Sequence, residues 1–399
     1  MGHPAPLDLA DLGLDRGGLL LLKRALAGLP VGATLAVTGA SPELPIHLRA
    51  WCRQAGHGFE PAAEVAGVVR VGAAAAGRWQ GAEQAGGPDP RVEGALAARP
   101  PARWGVAARG AVVEAGGPSF SFGLDDLDQV WSDDAGRLYA QAAASQWDPA
   151  TAIPWEAPFE LPDEVEDALV QVLTYLIENE NAALLVPARF LGRLHPHFRE
   201  VMQLLAVQVA DEARHVEVFT RRATRRRQCL GLSTVGGQAS LQTLFEEPDF
   251  ALASFLLSVM GEGTFLSLLA FLEAHAPDPV TRAIMRLAAQ DEARHVAFGM
   301  AHLQRHLRHD PTLAARLAAS VRRRHDALAG TAGLNDEVFD ALVVLAAGAW
   351  TPAAIARGHA AVLMLQAEME AGRRGRMLKL GFAADVAAEL AGLHTRNFM

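Results

Sequence analysis

The sequence predicts a mainly α-helical protein: a bundle of long helices with extra C-terminal helices behind it, preceded by a small α/β unit. Three observations predict this. From about residue 161 onward, apolar residues recur at helical spacing over segments far longer than a strand. The joins at His195–Pro196 and Ala276–Pro279 are short enough to make the flanking helices antiparallel neighbours. Before residue 75, in contrast, short alternating runs interleave with short helical patterns.

Taken in order, Leu7–Leu14 reads as a strand entering a turn at Asp15–Gly18, and Leu19–Leu29 as a helix stopped by Pro30. Thr34–Thr38 alternates like a strand, Pro42–Gly56 reads as a helix with a glycine stop, and Val65–Val71 as another strand. Residues 1–75 make one domain. Residues 76–124 read as a linker, because Pro88, Pro90, Pro100 and Pro101 rule out long helices, with short strand-like pieces in Val112–Phe122. Residues 125–399 make the helical domain. It opens with a lead-in helix through Trp131, Leu138 and Tyr139, and the long helices follow at 163–192, 197–227, 250–274 and 278–308. The longer join at 228–249 implies a crossover. Extra helices are expected at 312–329, 335–372 and 383–393, the middle one broken or kinked at Pro352.

The net charge of −9 argues against nucleic acid as the main partner. The basic runs Arg225–Arg227, Arg322–Arg324 and Arg373–Arg376 read as solvated helix ends that complement the macrodipole. Cys52 and Cys229 can form neither a disulfide framework nor a structural zinc cluster, so a reducing cytoplasm is the expected compartment. No basic and apolar leader opens the sequence, no uncharged apolar run reaches membrane-spanning length, and a membrane is not an expected partner.

The chemistry lies in a word that occurs twice. Asp211-Glu212-Ala213-Arg214-His215 is repeated letter for letter as Asp291-Glu292-Ala293-Arg294-His295. Glu and His three apart share one helix face, about one turn from each other. At about 100° per residue, Glu212 and His215 fall in the stripe of Val201, Leu204, Leu205 and Phe219, and Glu292 and His295 fall with Ile284, Met285, His302 and Leu303. Charged groups on an apolar stripe are costly unless they are paired or bind metal. Each copy is preceded by a helix with a carboxylate on its apolar face. Glu262 aligns with Phe255, Val259, Leu266 and Leu269. Of Glu178 and Glu180, only Glu180 shares the face of Leu169, Leu173, Leu176 and Ala183, and it lies 12 residues before Gly192 as Glu262 lies 12 before Ala274. Four glutamates and two histidines, one Glu from each of two helices and Glu-x-x-His from each of the others, form the donor set of a two-metal carboxylate site. Four carboxylates balance two divalent ions, and hard oxygen donors with two imidazoles suit iron or manganese better than copper.

With these motifs, residues 163–308 resemble the ferritin-like superfamily, in the branch shared by ribonucleotide reductase small subunits, bacterial multicomponent monooxygenases and related dimetal oxidases. The resemblance implies a ferritin-like bundle holding two Fe ions, or Mn and Fe, with dioxygen as co-substrate. It implies that Asp211 orients His295 and Asp291 orients His215, with Arg214 and Arg294 nearby; the alternative for these four is surface ion pairing. No catalytic residue beyond the metal ligands is assigned. The sequence also departs from the subfamilies. Phe219 stands where many reductase subunits carry their radical tyrosine, and Leu266 stands where hydrocarbon monooxygenases carry a threonine. Ala288 replaces the extra histidine of aryl-amine N-oxygenases. The subfamily therefore stays open. Gly261 and Gly263 flank Glu262; they relax the helix and make room beside the metals, or they permit close helix packing.

Leu7–Leu14, Leu19–Leu26, Pro30-Val31-Gly32 and Ala50-Trp51-Cys52 resemble the TusA-like sulfur-carrier family, implying a two-layer sandwich. The Cys-Pro pair of that family is replaced by Arg16-Gly17, so sulfur relay at that position is excluded and a docking, oligomerisation or substrate-presenting role is expected.

The leading function is an oxidoreductase: a non-haem di-iron, or Mn/Fe, oxidase or oxygenase that hydroxylates, desaturates or N-oxygenates a small organic substrate. A metal-handling protein, ferroxidase or iron store, is the alternative, though such stores are usually bare bundles. A tRNA-modifying hydroxylase is a further alternative, disfavoured by the acidic charge. Expected partners are a small-molecule substrate, an electron-donor protein and a second copy of the chain.

Overall fold

The computed structural model describes residues 6–74, 77–329 and 336–393. Contacts divide the chain into two compact units, Met1–Ala85 with Ala111–Pro118, and Gly86–Gly110 with Ser119–Met399.

In the first unit, β1 (Leu7–Asp8), α1 (Gly18–Ala27), β2 (Thr34–Thr38), α2 (Leu44–Ala55), β3 (Gly58–Glu60) and β4 (Gly67–Arg70) build a sheet of order β1-β2-β4-β3, with β1 and β2 parallel and the other pairs antiparallel. Leu35 and Val37 alternate into a core that both helices share through Leu22, Leu26, Leu44, Leu48 and Cys52. The strand expected over Leu7–Leu14 is much shorter. Asp8 Oδ1 accepts the Ala10 N–H at 2.9 Å, and this Asx turn ends the pairing after two residues. Gly17, at φ 109°, precedes α1 in a left-handed conformation that a proline, locked near about −65°, cannot adopt. Burial pushes the Cys52 thiol up to about 11, which suits a structural cysteine. The comparison of this unit with sulfur carriers remains a resemblance in sequence pattern. A two-stranded antiparallel sheet of β5 (Glu83–Gln84) and β6 (Val112–Val113) completes it.

The second unit is helical. After α3 (Leu127–Val130) and α4 (Ala135–Ala144), the bundle comprises α5 (Asp163–Leu191), α6 (Arg199–Ala223), a third helix in three parts, and α10 (Pro279–His309). The crossover between the second and third bundle helices contains α7 (Val235–Phe245), which the sequence reading leaves as a join; Thr234 caps it by accepting the Gly237 N–H. The third helix starts as α8 (Phe250–Ser254), runs through a π-helical segment Phe255–Glu262, and resumes as α9 (Gly263–Ala274). Phe250–Ala274 is long and apolar enough to cross a membrane, and most of it is buried inside the unit. Behind the bundle lie α11 (Leu313–Leu328), α12 (Asp336–Ala347), α13 (Pro352–Lys379) and α14 (Ala384–Leu393). The expected break at Pro352 separates α12 from α13, and Pro352 opens α13, where its missing N–H costs nothing. Residue 335, the expected start of this stretch, lies outside the described residues.

The apolar core of the bundle comes in two parts, and every bundle helix passes from one to the other. Helix α5 leaves the first at Ile177 and enters the second at Ala182, and α10 leaves at Ala288 and enters at Phe298. Helix α6 runs the opposite way, from Leu205 to Val218, and the third helix runs from Met260 to Phe265. Between the two apolar layers lies one polar layer. By the course of these helices the unit is a ferritin-like bundle.

The residues around the π segment explain one glycine. Arg376 Nε of α13 donates to Val259 O at 2.7 Å, and Thr264 Oγ1 donates to Met260 O at 2.5 Å, so carbonyls in the widened turn find partners. A Cβ on Gly263 would lie 2.4 Å from Arg376 Nε. Gly263→Ala is therefore expected to lower the thermal midpoint, since overpacking costs about 1–3 kcal/mol and outweighs the helix propensity gained, about 1 kcal/mol. A higher midpoint in a calorimetric scan contradicts this account.

Candidate metal centre

Four helices deliver six carboxylate and imidazole side chains to the polar layer. Glu180 comes from α5, Glu212 and His215 from α6, Glu262 from the last π-helical residue, and Glu292 and His295 from α10. None is more than 5% exposed. Donor atoms of Glu180, Glu212, His215 and Glu292 lie within 4.8 Å of one another, and so do those of Glu212, Glu262, Glu292 and His295. Glu212 and Glu292 belong to both groups. His215 Nδ1 stands 3.2 Å from Glu212, 3.3 Å from Glu292 and 3.6 Å from Glu180. His295 Nδ1 stands 3.0 Å from Glu212 and 3.3 Å from Glu292. Glu178 is only half-buried and outside the cluster.

Burial and like charge act together on the carboxyl groups of the layer. Burial, then the charges of Glu212 and Glu292, push the Glu180 carboxyl well above the usual range, and burial and Glu292 do the same to Glu262. Burial works against the charged imidazoles, but the surrounding carboxylates hold both well above the usual histidine value. Glu180 Oε1 and Glu262 Oε2 are buried without a hydrogen-bond partner. Oxygen atoms left this way are costly unless something replaces the missing bonds. Two divalent cations would do so, and the residues fit them.

An outer ring orients the imidazoles. His215 Nε2 lies 3.2 Å from Asp291 Oδ2, and His295 Nε2 lies 3.3 Å from Asp211 Oδ2, each aspartate coming from the opposite helix. With Nε2–H given to an aspartate, each ring turns its Nδ1 lone pair into the cluster. Arg214 bonds both aspartates, 2.8 Å to Asp291, and Arg294 bonds Asp291. Hydrogen bonds to the imidazoles hold Asp211 and Asp291 below the usual carboxylate range, in spite of burial.

The sequence reading misses several contributors. Gln146 Nε2 donates to Asp211 at 2.8 Å, and Trp147 Nε1 donates to Asp291 at 2.8 Å. They follow α4 in the loop before α5, where no periodicity marks them. Gln208 Nε2 donates to Glu262 Oε1 at 2.9 Å; one turn before Glu212 on the same stripe, it was legible from helical phase. Phe219 packs 6.2 Å from the His215 ring. A tight cavity of about 30 Å³ opens onto Glu180, Glu262 and Glu292, walled by Ala183, Leu256, Met260, Gly261 and Phe265. Gly261 thus borders this space. The run Arg322–Arg324 is not uniformly solvated: Arg324 is buried in the cavity wall, and burial pulls its guanidinium down to about 10.

Residues 188–322 match the family model described as P-aminobenzoate N-oxygenase AurF. The matched segment holds Glu212, His215, Glu262, Glu292 and His295, and Glu180 precedes it. No curated protein matches the chain. Among solved structures, the chain is similar to a protein with aldehyde deformylating oxidase activity from Synechococcus, with 18% identity and a TM-score of 0.41 over 57% of this chain and 96% of that one. It is also similar to an R2-like ligand-binding oxidase from Sulfolobus acidocaldarius, with 17% identity and a TM-score of 0.40 over 60% of this chain and 90% of that one. A further R2-like ligand-binding oxidase, with an aerobically reconstituted metal cofactor, is similar at 17% identity and a TM-score of 0.42 over 67% and 92% of the two chains.

Proposed function

We propose that this chain is a dioxygen-dependent dimetal oxidoreductase that oxidises a small organic substrate. One observation carries the reading: two four-residue donor groups, buried and sharing Glu212 and Glu292, lie beside a narrow cavity that Glu180, Glu262 and Glu292 line. Glu180, Glu212, His215 and Glu292 would hold one ion, and Glu212, Glu262, Glu292 and His295 the other. Two Fe ions, or Mn and Fe, bound there supply the electrons that activate dioxygen.

The protein's own part is positioning. Asp211 and Asp291 fix the imidazole tautomers, and Arg214 bonds both aspartates. Gln208 restrains Glu262 by donating to one of its oxygens. The apolar walls exclude water, which protects a reactive centre from side reactions. The apolar-walled cavity beside the glutamates favours an oxidase or oxygenase over an iron store. The family description that matches residues 188–322 makes oxidation at a nitrogen one outcome to test, with Ala288 standing where the sequence resemblance expects an extra histidine. An electron-donor protein would supply the reducing equivalents that the substrate does not.

After anaerobic loading with Fe(II), elemental analysis is expected to find about two metals per chain. Exposure to oxygen should then consume it without mineral growth. A chain that takes up no iron sinks the proposal.

A further inference from the structure

His302 is fully buried on α10, two turns beyond His295 and on the same stripe of the helix. Phe250 and Phe298 pack against its ring, with centroids 4.9 and 5.8 Å away. Both of its nitrogens are buried without a hydrogen-bond partner among the described residues. His195 and His197, also buried, each accept a backbone N–H instead. Burial pulls the His302 imidazole down to about 3, so the ring is neutral. A phenylalanine would fill the same slot without stranding two polar atoms, so packing alone does not account for a histidine here.

His302 stands between two polar places. On one side His306 follows it by one turn, with ring centroids 6.2 Å apart, and His306 Nδ1 is also buried without a partner. His306 lines a cavity of about 210 Å³ with Asp249, Asp310 and Arg316. Asp310 Oδ2 lies 4.0 Å from His306 Nε2, and the charges of Asp249, Arg316 and Asp126 also act on this ring. A space of that size holds several waters, each taking about 30 Å³. On the other side Gly299, one turn before His302, brings α10 close to the third bundle helix. A Cβ there would lie 3.4 Å from Ser258 Oγ and 3.7 Å from Ser254 Oγ. Both serines are buried, and the Ser258 hydroxyl favours the charged form of the Glu262 carboxyl, one turn further on. Hydroxyls and neutral imidazoles can each accept one hydrogen bond while donating another.

We propose that His306, His302, Ser254 and Ser258 form a relay that carries protons from the cavity at Asp310, through the second apolar layer, to the glutamate cluster. The inference rests on the proposed function for the use of those protons. Inserting one oxygen atom of dioxygen into a C–H or N–H bond, with the other leaving as water, takes two electrons from the donor protein and two protons from solvent. The cluster is buried between apolar layers, so the protons need a polar route. A neutral imidazole takes a proton on one nitrogen as it gives up the one on the other, so His302 need hold no lasting charge. Side-chain rotation and single bridging waters make the steps between neighbours.

The first test needs neither metal nor activity. NMR of the isotope-labelled full-length chain, metal-free and Zn(II)-loaded, reads how fast the His302 ring N–H exchanges with solvent; His302→Phe identifies the signal by removing it. Exchange is expected to be much faster than that of the backbone amides of α10 and to slow by at least about tenfold in His306→Leu. The second test follows oxygen uptake by Fe(II)-loaded protein with ascorbate as the electron source. His302→Phe should bind the same iron and melt at or above the wild-type temperature. Its uptake should fall by at least about tenfold, with a larger rate ratio between H2O and D2O as proton delivery becomes limiting. If it melts lower, Ser254→Ala, which removes only a hydroxyl, decides by the same two readings. A His302 N–H as protected as the helix amides, exchange indifferent to His306, or wild-type uptake and isotope ratio in the deciding variant overturns the relay. Metal analysis separates the two readings. Iron-loaded protein whose oxygen uptake ignores His302 removes the relay alone, and protein that takes up no iron while His302 exchanges through His306 removes the dimetal reading alone.

Discussion

Glu180→Ala is expected to lower iron uptake from about two equivalents per chain to about one or fewer, and to abolish oxygen consumption, while Glu178→Ala leaves both near wild type. The two residues are one turn-half apart on α5, yet only Glu180 enters the polar layer, where its Oε2 lies 3.6 Å from His215 Nδ1. Removing it leaves one donor group with three members. Even partners outside the donor set change metal affinity by about 10–100-fold when removed, so the loss of a member should be at least as large. Elemental analysis and an oxygen electrode read the two effects separately. Full metal content in Glu180→Ala, or its loss in Glu178→Ala, contradicts the assignment. The metal-free Glu180→Ala protein should melt higher than metal-free wild type, since a buried, unsatisfied carboxyl has been removed.

The second large effect lies away from the cluster. Arg222 is fully buried, and it bonds Glu166 at 2.7 and 3.0 Å and Asp278 at 2.8 Å, tying α5 and α6 to the start of α10. Arg222→Met removes the cation and strands two buried carboxylates. The expected cost is about 3–5 kcal/mol, read as a lower denaturant midpoint in the transition of the helical unit. A change below about 1 kcal/mol would place this network among surface-like pairs and overturn the account.

What was legible in the sequence follows from periodicity. The repeated Asp-Glu-Ala-Arg-His word and the apolar phase single out Glu180, Glu212, His215, Glu262, Glu292 and His295, and the structure brings these residues together. Phase assumes a regular helix, and it fails where the helix is irregular. It puts Leu266 on the inner stripe after Glu262, but the π-helical segment shifts the register, so Phe265 lines the cavity and Leu266 is half-exposed. Helix α7 escapes notice because Gly236 and Gly237 look like a loop; both are buried. Arg324 escapes because composition alone cannot tell a solvated arginine from a buried neighbour in the same run. Gln146 and Trp147 reach the aspartates from a loop, and only tertiary structure reveals them.

The hold of Arg376 on Val259 has a wider meaning for how this chain is organised. If the π segment relaxed to ordinary α-helix, the register behind it would move by one residue, and Glu262 would swing by about 100° around the helix axis, away from Gln208 and the histidines. Helix α13 contributes no donor to the centre, yet it braces the one stretch of backbone whose pitch decides where a donor points. The chain therefore writes the address of Glu262 more than a hundred residues downstream of the glutamate itself.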